Sequence, residues 1–145
     1  MDSGVSRKYL VQQIMSASPA RRVAMLYDRA ISLLNEAVEA IEAGDIERRW
    51  RCNAKATEVV CQLWEALDMD QGSDIAANLG QLYEFVVRRM TDIDIGNDAG
   101  AAREVIRLLE PLRRSWHELA TTQAAEAEPT AAQPDTDTPQ VSLSA

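Results

Sequence analysis

The stretch "SPARRVAMLYDRAISLLNEAVEAIEAGD", Ser18 to Asp45, decides the fold. Ser18 suits an N-cap, and Pro19 suits the first helical position, where its missing N–H has no helical partner to lose. Val23, Leu26, Ala30, Leu33, Leu34, Ala37 and Ile41 then recur at the helical period, and Gly44 closes the run as a left-handed C′ residue. A helix over 19–43 is expected.

The same signals recur along the chain. Asp45 can cap a second helix, with Ile46, Trp50, Ala54, Thr57, Cys61 and Trp64 as its apolar face and its end near Leu67 to Met69. The turn "DQGSD" (Asp70 to Asp74) follows. Ser73 then caps a third helix with the stripe Ile75, Leu79, Leu82, Val86 and Met90, reaching about Thr91. After "GNDAG" (Gly96 to Gly100), Val105, Leu109, Leu112, Trp116 and Leu119 mark a fourth helix, with Pro111 expected to loosen or kink it. Four helices joined by short loops give an all-α fold, an antiparallel four-helix bundle over 18–120. Residues 1–17 carry Tyr9, Leu10, Val11, Ile14 and Met15, and read as an N-terminal strap or short helix that must bury them against the bundle.

Composition agrees with this reading. A chain of 145 residues, 46% hydrophobic with 6 Gly and 5 Pro, is sized for one domain and poor in the turn residues an all-β fold needs. No stretch approaches the roughly 18 apolar residues of a membrane span, and no secretory leader is evident, so a soluble cytoplasmic protein without membrane insertion is expected. Cys52 and Cys61 fall on opposite sides of one helix and cannot bridge within it, which fits structural thiols in a reducing compartment.

Net charge is −8, and half of it sits in residues 121–145, where Glu126, Glu128, Asp135 and Asp137 stand without any Lys or Arg among three prolines. Such a segment lacks the apolar surface to offset chain entropy, and a disordered acidic tail is expected. The acidic balance argues against nucleic acid as a partner; the pair Arg21 and Arg22 reads as a solvated helix end.

Catalytic chemistry finds little material. His117 is the single histidine and reads as an exposed helix residue with no dyad around it. Arg114 stands three before it, so the Glu-x-x-His motif of di-metal bundles is absent, and no phosphate-binding glycine loop occurs. No enzyme activity, metal or cofactor is expected.

Surface shape says more. At 100° per residue, Tyr27, Ile31 and Val38 widen the apolar arc of helix one to about 160°. Either the core is wide there and the strap covers it, or the flank is a groove for a guest, with the tyrosine offering a ring and a hydroxyl. Tyr83 lies similarly beside the stripe of helix three, with Asn78 on its margin.

The landmarks together resemble the FliS family of flagellar secretion chaperones. They are Tyr9, "SASP" (Ser16 to Pro19), "MLYD" (Met25 to Asp28) with Ala30, Leu67 and Asp68, Gly72, "IAANLGQLYEFV" (Ile75 to Val86) and "LLEPLRRSW" (Leu108 to Trp116). Each is weak singly, but their order and spacing over residues 9–119 are specific. The chain departs from the pattern at Arg22, Arg29 and Pro111. The resemblance implies a bundle that binds the disordered C-terminal segment of flagellin in apolar grooves, so preventing premature polymerisation and aiding type III export. It also implies flagellin-binding roles for Tyr9, Ile14, Leu26, Tyr27, Ile31, Leu34, Asn78, Leu82 and Tyr83, with Tyr9 and Ile14 covering the groove until the guest displaces them. A regulatory adaptor binding an export-apparatus or anti-sigma helix is the alternative.

Overall fold

The computed structural model describes residue 8 and residues 18–67 and 74–144, apart from the side chains of 127–144. The expected strap with Tyr9 and Ile14, the turn at 70–73 and the Ser73 cap lie outside the described residues. Within them four helices run in order: α1 (Pro19–Ala43), α2 (Ile46–Glu65), α3 (Asp74–Ile95) and α4 (Ala99–Ser144).

Local chemistry sets the helix ends. The Ser18 side chain accepts a hydrogen bond from the Arg21 N–H at 3.1 Å, with Pro19 behind it. At the other end Gly44 adopts φ 74°, and the Asp45 N–H reaches the Ala40 carbonyl at 2.8 Å, the paired closure that a left-handed residue makes possible. Asp45 then caps α2 through the Arg48 N–H at 3.0 Å. The α3–α4 turn uses Asn97 at φ 50°, and the Asp98 carboxylate accepts from the Ala101 N–H at 3.1 Å. Helix α1 therefore has the bounds its sequence predicts, while α3 runs four residues beyond the expected Thr91.

Each helix packs against its two neighbours in the ring α1–α2–α3–α4, the arrangement of an antiparallel four-helix bundle. Helix α1 approaches α2 and α4 most closely. Its buried Ala24, Ala30 and Ala37, facing Ala56, Ala101 and Ala102, permit that approach because they interpose only methyl groups. Helix α3 stands behind larger buried side chains, Tyr83, Val86, Met90 and Ile93.

Two expectations for α2 and α3 are corrected. Ile46 and Trp50 are 61% and 58% exposed, and the buried face of α2 is formed by Arg49, Cys52, Asn53, Ala56, Val59, Val60 and Leu63. The helix is thus rotated from the face its apolar residues suggest, with Trp64 only partly buried. Arg49 and the Asn53 amide nitrogen find partners on α3 and the turn after it: Arg49 donates to Asp94 at 3.2 Å and to Asn97 at 2.7 Å, and Asn53 donates to the Met90 carbonyl at 2.9 Å and to Asp94 at 3.0 Å, while the buried Asn53 Oδ1 has no partner among the described residues. Ile75 is 70% exposed rather than part of the α3 stripe, and Leu119 is 42% exposed while Ala120 is buried.

Helix α4 passes through Pro111 without interruption and its backbone stays helical to Ser144, where composition leads one to expect no regular structure. Residues 121–126 are all exposed. Among the described residues no helix is long and apolar enough to cross a membrane.

Candidate functional site

Three helix segments and the middle of α4 converge at one end of the bundle. Val23 near the start of α1, Leu63 and Leu67 at the close of α2, Leu79 and Tyr83 early in α3, and Trp116 on α4 enclose a cavity of about 200 Å³. Leu79 and Tyr83 are an i, i+4 pair that projects from one face of α3, while Leu67 is supplied by the chain just beyond the end of α2. Among the described residues no charged side chain lines it. Such a cavity receives apolar side chains and nothing that needs a counter-charge.

Tyr83 joins this cavity to the core. Its hydroxyl hydrogen-bonds the hydroxyl of Tyr27, and both rings are buried, at 3% and 0% exposure. Burial holds both phenols above the ordinary tyrosine range, since the charged form loses its hydration there; each therefore stays protonated and available as donor or acceptor.

A second, shallower groove of about 530 Å³ runs along the outer side of α1, over Met25, Leu26 and Leu33, with Arg21, Arg22 and Arg29 on its margins. Asp28 borders it and is held from behind. His117 Nε2 lies 2.9 and 3.0 Å from the two Asp28 carboxylate oxygens, and Arg113 donates to the same carboxylate at 3.3 Å. Arg113 also forks onto Glu110 at 3.0 and 2.7 Å, which lowers the Glu110 carboxyl below the usual range by hydrogen bonding. The cluster ties α1 to α4.

His117 is accordingly not the exposed residue its sequence suggests, but a half-buried partner of Asp28. No hydroxyl or thiol is hydrogen-bonded to that pair among the described residues, and no group of three His, Cys, Asp or Glu stands close enough to hold a metal.

The residues singled out from sequence divide into three sets. Tyr27, Leu34 and Tyr83 belong to the interior. Tyr27, for which the sequence left both a wide core and a groove open, is buried in the apolar arc of α1 with a hydroxyl partner on α3. Leu26, Ile31 and Leu82 are half-buried and pack against the core from its rim, and Asn78 is exposed. Tyr9 and Ile14 lie outside the described residues. Sequence reasoning missed Val23, Leu63, Leu67 and Trp116 as site residues, though each lies on or next to an apolar stripe; their shared signal is position near one end of four antiparallel stripes.

The comparisons with known proteins concern this whole bundle. Residues 1–123 match the family of the flagellar protein FliS. The chain is 35% identical over 108 residues to the flagellar secretion chaperone FliS of Salmonella typhimurium, spanning 74% of this chain and 80% of that protein. It is 33% identical over 107 residues to the chaperone of the same name from Vibrio cholerae, spanning 74% and 79%. With that of Bacillus subtilis the identity is 27% over 108 residues, spanning 74% and 80%.

Proposed function

The chain belongs to the FliS family, and from that premise we propose that it is a cytoplasmic export chaperone whose cargo is the C-terminal segment of flagellin. The observation that carries the reading is the uncharged cavity where the four helices converge, bounded by Leu67, Leu79, Tyr83 and Trp116. An unfolded amphipathic segment exposes an apolar face that drives self-association, and seating its large side chains in such a cavity removes that face from water. In this reading the rim residues Leu26, Ile31, Asn78 and Leu82 steer the guest, and Tyr9 and Ile14 of the leading segment occupy the groove until the guest displaces them. The interior Tyr27, Leu34 and Tyr83 serve by fixing the shape of the wall.

Calorimetric titration of the full chain with a synthetic flagellin C-terminal peptide tests the proposal. Leu79→Glu places an unpaired charge in the cavity and should weaken binding about tenfold or more, roughly 1.4 kcal/mol, while circular dichroism stays helical. Equal binding by a folded Leu79→Glu variant would remove the cavity from the site. An adaptor for another flagellar or anti-sigma helix would use the same cavity, and a pull-down from cells lacking flagellin separates the two readings.

A further inference from the structure

Charge is unevenly distributed around α1, and two of its cations, Arg29 and Lys55, are not among the residues proposed for the cargo. On the side facing α4, Asp28, Glu36, Glu39 and Glu110 accompany Arg113. On the side facing α2, Arg29, Arg48, Arg51 and Lys55, with Glu36 among them, surround a cleft of about 300 Å³ whose apolar floor is the buried Leu33 and Cys52. This cleft continues through Arg29 and Leu33 into the outer groove of α1, where Met25 and Leu26 are flanked by Arg21 and Arg22. A basic, partly apolar strip thus crosses a chain of net charge −8.

Internal neutralisation is incomplete along the strip. Arg48 is engaged by Glu39 at 3.2 Å and Glu36 at 3.6 Å, and Arg51 by Glu47 at 3.0 Å. The side chains of Arg29 and Lys55 are exposed and have no hydrogen-bond or ion-pair partner among the described residues. Spacing points to a helical ligand. Leu26 and Leu33 are seven residues apart, as are Arg22 and Arg29, so an apolar and a basic position each recur after two turns along about 16 Å of α1. A guest helix with leucines at heptad spacing and acids beside them matches both repeats.

We infer that this α1–α2 strip docks an acidic amphipathic helix of a second protein, a partner other than the cargo at the apolar end. Acids on such a helix meet Arg29 and Lys55, and its leucines pack between Leu26 and Leu33. Glu36 within the strip and Glu47 beside Arg51 disfavour an extended polyanion, whose evenly spaced charges cannot avoid them.

The test uses the full chain and fluorescence anisotropy of a labelled synthetic helix of about 18 residues, with leucines at heptad a and d positions and glutamates elsewhere. A second probe carries lysine in place of each glutamate. The acidic probe should bind and the lysine probe should not. Arg29→Glu with Lys55→Glu should weaken the acidic probe at least tenfold, the milder Arg29→Gln with Lys55→Gln less, and Arg107→Glu on α4 should leave it unchanged. Flagellin-peptide affinity should stay within twofold in every variant. Equal binding of the two probes, indifference to the double reversal, or equal affinity for a single-stranded oligonucleotide would each overturn the inference. So would a tenfold gain in probe affinity when Glu126, Glu128, Asp135 and Asp137 are neutralised as Gln and Asn in the full chain, since the strip would then belong to the chain's own tail. Failure of the flagellin peptide to bind at all counts against the cargo reading alone.

Discussion

The hydroxyls of Tyr27 and Tyr83 meet across the diagonal of the bundle, joining α1 to α3, two helices that do not pack closely side by side. A polar contact there is useful because it is directional. Apolar packing alone lets a helix rotate by a few degrees at little cost, whereas two buried hydroxyls must find each other or lose their hydrogen bond.

Tyr27→Ala should therefore destabilise the bundle by ~3–5 kcal/mol, combining a cavity with an orphaned Tyr83 hydroxyl. Tyr27→Phe should cost ~1–3 kcal/mol, and adding Tyr83→Phe should cost less than a second independent loss, because no unpaired hydroxyl then remains. Urea unfolding measures all three. Unchanged stability in the alanine variant would place Tyr27 at the surface.

The same pair predicts an alkaline limit. Both phenols titrate above the ordinary range in the folded chain, while unfolding returns them to about 10. Below that pH both states hold their protons and the full stability is present. Above it the unfolded state releases protons that the native state retains, so stability falls with rising pH, by up to about 2.7 kcal/mol per pH unit for two groups. The Tyr27→Phe, Tyr83→Phe double variant should lose this slope in urea unfolding between about pH 8 and pH 11.

Two tryptophans on α2 discriminate its true face. Trp64 is half-buried against the core, so Trp64→Ala should cost ~1–3 kcal/mol rather than the ~3–5 of a fully buried ring. Trp50 is mostly in water, and Trp50→Ala should stay within ~0.5 kcal/mol of the parent by thermal unfolding.

That rotation shows what the sequence can and cannot express. Helix α1 was legible to the residue because Ser18, Pro19 and Gly44 act locally on the backbone they cap. The buried face of α2 was not, because Arg49 and Asn53 look like surface residues until Asp94 and Asn97, more than forty positions away, are brought alongside. Tyr27 could be read as core or as groove for the same reason: its hydroxyl partner stands on α3, fifty-six positions away. The apolar cavity was partly legible, in its stripes but not in their convergence, since sequence fixes the period of each helix and not how far neighbouring helices stand apart.

Removing residues 121–145 should leave the thermal midpoint within a few degrees and flagellin-peptide binding nearly unchanged. Ala120 is buried and residues 121–126 are exposed, so that described part of the segment adds little to the core. A larger fall would show that the tail docks on the bundle.

The ties from α3 to its neighbours are unevenly placed along its length. Asn53 holds the Met90 carbonyl, Arg49 holds Asp94 and Asn97, and Arg89 holds Glu104 at 2.7 Å, while the cavity lies around Leu79, ahead of all of them. Helix α3 is thus fastened like a door, hinged at its C-terminal half with Tyr83 as the latch. Amides near Leu82 should exchange with deuterium well before those near Ile93, and Tyr27→Phe should widen that difference by releasing the latch. Such a door swings at the end that the proposed guest would enter, so on that proposal one bundle admits side chains of different bulk without loosening the half that keeps its helices in register.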